Sequence, residues 1–171
     1  MIFAHINTRI WPWLAFLLSA SLWIGALGFE HIGGYAPCQM CYWQRHAHKA
    51  VLVISAVAIL FQLMAPNNPK RERLFVLLIG CAFLVSFGLA FWHTGVEYKW
   101  WEGPKTCSVG ANMDAFNAND ILGALKGKVK MPACSDAPWH LFGISMAGYN
   151  ALISAGAAIM SFIVASKGSK A

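Results

Sequence analysis

The chain has 171 residues and a formal net charge of +6; 58% of its residues are hydrophobic and only 12% are charged. Soluble domains carry roughly 25% charged residues, so a large aqueous domain is excluded and one small membrane domain is expected. The excess of lysine and arginine then reads as membrane topology rather than as a nucleic-acid-binding surface.

Four apolar runs organise the chain, at residues 11–29, 47–65, 74–92 and 139–165. Each approaches or exceeds the roughly 20 residues needed to cross a hydrocarbon core, and few charges interrupt them. None shows the alternation of barrel strands, so helices are the expected spanning element. The first run follows Arg9 and contains Ala26-Leu27-Gly28, a passable cleavage site. It is longer than the about 7 to 15 residues of a secretory h-region, so it is expected to be retained as a span.

The first exported loop, residues 30–46, carries Cys38-Gln39-Met40-Cys41. Pro37 interrupts the chain before it, which places Cys41 in or near the first turn of the second helix. Unpaired amides and partial positive charge at a helix start stabilise a thiolate, and Arg45 lies one turn further on. A plain disulfide staple, with Arg45 reaching lipid headgroups, is the alternative. Zinc is a poorer reading, because helical spacing spreads His46 and His48 over different faces. The histidine that a c-type haem attachment needs after Cys41 is absent.

Between the second and third runs, the turn at residues 66–73 holds Lys70, Arg71 and Arg73. Together with Arg9, Lys167 and Lys170 these are expected to stay cytoplasmic, although positive charges on the two sides nearly balance. The third run contains the unpaired Cys81, read as a small buried hydrophobe, and ends at Trp92-His93-Thr94.

The second exported loop, residues 93–138, holds the other cysteine pair, Cys107 and Cys134. Between them Ala115, Ala118, Ile121, Leu122 and Leu125 fall on one helical face, and Asp114, Asn117 and Asp120 are available for capping. This predicts a short interfacial helix that keeps both cysteines near the surface, within reach of a partner. A purely structural clip, worth about 3 kcal/mol by chain entropy, remains open for this pair. On the fourth run Gly143, Ala147, Ala151 and Ala155 recur every four residues, a small-residue stripe for close helix packing. Trp11, Trp13, Trp43, Trp92, Trp100, Trp101 and Trp139 lie near the span ends, where indoles prefer to sit. The expected architecture is therefore all-α: an integral membrane four-helix bundle with a short interfacial helix in the second exported loop.

Both cysteine pairs fall on one side of this bundle. Disulfides persist in oxidising compartments, so that side is expected to be periplasmic, with both termini cytoplasmic. His31, His46, His48 and His140 cluster near the same interface and support a rival, a small b-type cytochrome with histidine haem ligands. That rival leaves the cysteine layout unexplained. A disulfide-clipped structural membrane protein is a third class.

Cys38-Gln39-Met40-Cys41-Tyr42-Trp43-Gln44-Arg45, the four spans, Trp92-His93-Thr94 and the loop carrying Cys107 and Cys134 together resemble the disulfide bond formation protein B (DsbB) family. The resemblance implies a thiol oxidase of the bacterial inner membrane that serves protein folding. It would reoxidise a DsbA-like periplasmic oxidant and pass the electrons to quinone, ubiquinone or menaquinone, with no metal. A DsbA-type carrier lies near about −120 mV, so its oxidant needs a stronger acceptor than an ordinary structural disulfide. Position by position, the resemblance implies that reduced partner attacks Cys107, that the freed Cys134 attacks Cys38, and that Cys41 faces the quinone. Arg45 and His93 would contact the quinone.

Overall fold

The computed structural model describes residues 7–65, 68–104, 107 and 133–167. The expected interfacial helix, residues 114–125, lies outside them. Four helices long and apolar enough to cross a membrane run in chain order: α1 (Trp11–His31), α2 (Gln39–Met64), α3 (Pro69–Glu97) and α4 (Met146–Lys167). A short antiparallel pair, β1 (His140–Leu141) and β2 (Ile144–Ser145), precedes α4.

Local chemistry sets the helix starts. Asn7 accepts hydrogen bonds from the Arg9 and Ile10 amides ahead of α1, and Pro12 occupies the first turn, where its missing N–H is not needed. Asn68 caps α3 by accepting from the Arg71 amide at 3.1 Å, again with a proline just inside. Ser145 accepts from the Gly148 amide at 3.1 Å at the start of α4. Between β1 and β2, Phe142 (φ 50°) and Gly143 (φ 77°) both take the left-handed conformation that tight two-residue hairpin turns require.

The observed helices differ from the apolar runs in an instructive way. α2 begins at Gln39 rather than residue 47, and α3 extends from Pro69 to Glu97 rather than over residues 74–92. The added turns are helical but carry Gln44, Arg45 and Glu97, so a hydropathy count stops short of them. The fourth helix starts later than residue 139, because residues 140–145 form the hairpin.

The bundle interior combines an apolar core around Val51, Ile79 and Phe83 with buried hydroxyls, and its outer surface is apolar. Ser19, Ser55, Ser86, Ser154 and Ser161 are fully buried, while Leu17, Ile24, Val53, Leu63, Leu152 and Ile159 are exposed. Water would penalise that arrangement; lipid tails favour it, since small and hydroxylated residues let backbones approach and apolar side chains face the acyl chains. The most extensive helix contact is between α3 and α4. Along α4 the buried face is Ala147, Ala151, Ser154, Ala158, Ser161 and Ala165. Ala147 and Ala151 belong to the expected stripe, but Gly143 sits in the hairpin and Ala155 is only half-buried. Gly80 of α3 lies so close that an added Cβ would come 2.9 Å from the Ser161 Cβ.

Trp11, the first residue of α1, is buried, and its indole N–H donates to Ser161 Oγ at 2.8 Å, tying α1 to α4. One residue departs from expectation. Cys81 is exposed on the outer surface of α3, not buried, because positions 79, 80 and 83 take the inward face. At the end of the bundle that carries Glu72, this buried acid pairs with Arg9 at 3.2 Å and accepts from Thr8 at 2.9 Å, clasping α1 to α3.

Candidate active site

The site lies at the other end, where α2 begins. Cys38 is the N-cap of α2: its Sγ accepts from the Cys41 amide at 3.3 Å. Cys41 thus occupies the first helical turn, as the position of Pro37 suggests. Cys38 and Cys41 are free thiols with their sulfur atoms 2.9 Å apart. The hydrogen bond with Cys41, and then burial, push the Cys38 thiol well above the usual thiol range.

Cys107 and Cys134 form a disulfide with Cα atoms 5.3 Å apart. It is not presented at the surface: Cys107 is 7% and Cys134 1% exposed, and both pack with Cys38, Met40 and Val96 in one apolar cluster against Cys41 and Trp43. The sulfur atoms of Cys38 and Cys134 and a ring nitrogen of His93 all lie within 4.8 Å of one another. With Cys134 already bonded to Cys107, this grouping reads as two sulfurs poised for exchange rather than as a metal site.

His93, on the last turns of α3, is buried, with Nε2 3.5 Å from Cys38 Sγ and 3.7 Å from Glu97 Oε1. Its Nδ1 faces Gln44 Nε2 at 2.7 Å. Arg45 lines the same cavity as Cys41. Its guanidinium forms an ion pair with Glu30, donates to the Ala26 carbonyl at 3.0 Å and lies over the Tyr42 ring. This pair is largely enclosed, with side-chain exposures of 12% and 22%.

These groups border a cavity of about 360 Å³ between α1, α2, α4 and the exported loops. Its lining is mainly apolar, with Leu22, Ala26, Phe29, Trp139, Met146 and Ile153, and its polar points include Cys41, Gln44, Arg45 and His93. That is the pattern expected for a small, flat, apolar ligand with a few polar atoms. An aromatic quinone ring fits this description, with the Arg45 guanidinium as a donor on the cavity wall.

Sequence reading did not find Glu30, Glu97, Gln44, His48 as a network member, or Asn150. Ionisable and amide residues within or at the ends of apolar runs are themselves a functional signal, which points to all five. Glu97 is buried and accepts a hydrogen bond from Ser145 Oγ. The haem-type histidines do not converge: His31, His46 and His140 are exposed, whereas His48 is buried and hydrogen-bonded to Ser19 and Asn150.

Known sequences resemble this chain over most of its length. The family model described as Disulfide bond formation protein DsbB matches residues 8–164. The chain is 33% identical over 146 residues to the Disulfide bond formation protein B of Shewanella amazonensis, covering 84% of this chain and 80% of that protein. It is 31% identical over 144 residues to that of Psychromonas ingrahamii (82% and 74%), and 29% identical over 170 residues to one from Vibrio vulnificus (95% and 94%). No solved structure matches the chain. With its four apolar helices and two clustered cysteine pairs, the chain belongs to the DsbB family of disulfide bond formation proteins.

Proposed function

We propose that the protein is a membrane thiol:quinone oxidoreductase of the bacterial inner membrane, which reoxidises a DsbA-like periplasmic oxidant and passes the electrons to ubiquinone or menaquinone. The observation that carries this reading is the meeting of Cys134 and Cys38 sulfurs within 4.8 Å, beside a largely apolar cavity that also reaches Cys41. An electron path needs both contacts.

The exchange runs from oxidised forms of both pairs. A partner thiolate attacks Cys107: the partner–Cys107 bond forms, the Cys107–Cys134 bond breaks, and Cys134 leaves as a thiolate. Cys134 then attacks Cys38, so that the Cys134–Cys38 bond forms, the Cys38–Cys41 bond breaks, and Cys41 takes the electron pair. The second partner thiol displaces Cys107, completing the partner's disulfide. Cys107 attacks Cys134, restores the loop disulfide and leaves Cys38 reduced.

A bound quinone supplies a two-electron, two-proton acceptor beside Cys41. Arg45 contributes a fixed cation at the cavity wall, held by Glu30 and the Ala26 carbonyl, so that it can stabilise negative charge there without reorganising. His93 contributes a donor at the sulfur end. The cysteine loops face the periplasm and both termini the cytoplasm in this reading, because disulfides persist on the oxidising side.

The test is anaerobic turnover of the purified protein with a reduced DsbA-like partner and several quinones, following thiol loss and quinone reduction together. Two thiols should be lost for each quinone reduced. Partner oxidation without quinone reduction would overturn the assigned acceptor.

A further inference from the structure

Behind the cysteine centre, buried polar groups from all four helices form one hydrogen-bonded chain. Ser19 Oγ lies 3.1 Å from His48 Nδ1, and His48 Nε2 lies 2.8 Å from Asn150 Oδ1. Asn150 Nδ2 donates to Gln44 Oε1 at 2.6 Å, and Gln44 Nε2 lies 2.7 Å from His93 Nδ1. Ser154 donates to Asn150 Oδ1 at 3.1 Å, and Ser86 bridges Ser154 and His48.

An amide offers hydrogens at one end and lone pairs at the other, while a neutral imidazole carries one N–H and one bare nitrogen. Turning Gln44 or Asn150 alone would bring two donors or two acceptors face to face. The chain therefore has only two consistent polarities. In one, both histidines carry their proton on Nε2; in the other, both carry it on Nδ1.

The surroundings of His93 choose between them. Its Nε2 lies 3.5 Å from Cys38 Sγ and 3.7 Å from Glu97 Oε1, and the ring also hydrogen-bonds the main chain of Cys134. With Nδ1 taken by the Gln44 amide, the main-chain oxygen of Cys134 falls to Nε2; that oxygen can only accept, whereas the Cys38 thiol can turn its own hydrogen to suit either tautomer, so a bare Nε2 would leave the carbonyl facing a second acceptor, which is costly in a buried site. A protonated Nε2 satisfies that oxygen.

We infer that Gln44, Asn150 and His48 are positioning residues that lock His93 in the Nε2–H tautomer, so that it presents a neutral hydrogen-bond donor to the exchanging sulfurs of Cys38 and Cys134. Because the Gln44 amide hydrogens face Nδ1, the ring cannot gain a second proton there without turning the rest of the chain. His93 thus donates to sulfur while remaining uncharged. In the exchange, the hydrogen bond stabilises negative charge on whichever of the two sulfurs is anionic, and the proton stays on Nε2 throughout. Its use in exchange rests on the thiol oxidase reading; the tautomer itself does not.

The decisive measurement is nitrogen NMR of the full chain labelled at histidine, in detergent, without partner or quinone, with His93 and His48 assigned from single substitutions. In the wild-type protein both rings should be protonated at Nε2 and bare at Nδ1. Gln44→Glu replaces the amide with a group that only accepts, so the His93 Nδ1 resonance should move to the protonated range while His48 is unchanged. A wild-type His93 protonated at Nδ1, or an unmoved Nδ1 in Gln44→Glu, would overturn the lock. A second arm traps the Cys134–Cys38 bond after mixing with reduced partner. His93→Leu should slow its formation by about tenfold or more, the loss expected for one hydrogen bond to a charged group. An unchanged trapping rate would refute the use in exchange while the NMR result still decides the tautomer.

Discussion

The two cysteine pairs share one buried cluster but are held by different kinds of structure. Cys38 and Cys41 are three residues apart at the start of α2, one as its N-cap and the other in its first turn, so the helix start holds their sulfurs 2.9 Å apart. Cys107 and Cys134 are 27 residues apart and are joined across the second loop by their disulfide. Breaking the helix pair leaves a centre ready to close again. Breaking the loop pair frees Cys134 to move. A fixed centre suits repeated exchange with a membrane acceptor, and a releasable one suits delivery of electrons from a soluble partner.

The sharpest way to break this comparison is Cys134→Ser. Partner-driven reduction of the Cys38–Cys41 pair should be abolished, because no sulfur remains to bridge the two pairs, while a small chemical dithiol should still reduce Cys38–Cys41 and drive quinone reduction. Rapid mixing with each donor separates the two. Loss of the closed loop should also lower stability by about 2 to 4 kcal/mol, read as a fall in the unfolding midpoint. If the small dithiol fails as well in a folded variant, the pairs do not have separate roles.

The next effect belongs to Arg45. Arg45→Met keeps the length of the side chain but removes a fixed cation and leaves Glu30 without its ion-pair partner. Losing one hydrogen bond to a charged group corresponds to about 10- to 100-fold in the KM for quinone, with formation of the Cys107–partner bond unchanged. Glu30→Gln preserves an acceptor for the guanidinium and removes only the countercharge, so its effect should be smaller, within about tenfold. Equal defects in the two variants would mean that Arg45 acts mainly by holding α1 to α2.

How much of this was legible beforehand follows from what hydropathy and spacing can express. Apolar run length gave four helices, and the proline before Cys38 located the start of α2, because both are local properties. The inward placement of polar residues was not legible: Ser86, Asn150 and Gln44 look like isolated interruptions until helix rotation brings them to one axis. Cys81 shows the same limit, since an apolar run without a face pattern does not say which residues meet lipid. Among the candidate residues, the cysteines and His93 converge because each sits at a helix end or in a loop at one end of the bundle. Arg45 reaches the cavity too, but Glu30, separated from it by 15 residues, decides where it points. The burial of Cys107 was equally hidden, because a loop rich in polar residues reads as exposed whether or not its cysteine packs inward.

The smallest expected effect is at Cys81, and it tests whether free cysteine alone is enough to imply redox work. Cys81 lies on the outward face of α3, whereas Ile79, two positions earlier, is fully buried in the core. Ile79→Ala should therefore cost about 2 to 5 kcal/mol through a cavity that neighbouring helices only partly fill. Cys81→Ala removes one sulfur from a surface exposed to acyl chains, where lipid refills the space, so the change should stay within about 0.5 kcal/mol and leave partner oxidation and quinone reduction unaltered. Unfolding midpoints in detergent and the turnover assay measure both variants side by side. A Cys81→Ala protein that folds normally but loses turnover would place a third reactive sulfur on the lipid face, and the division of labour between one helix pair and one loop pair would no longer hold.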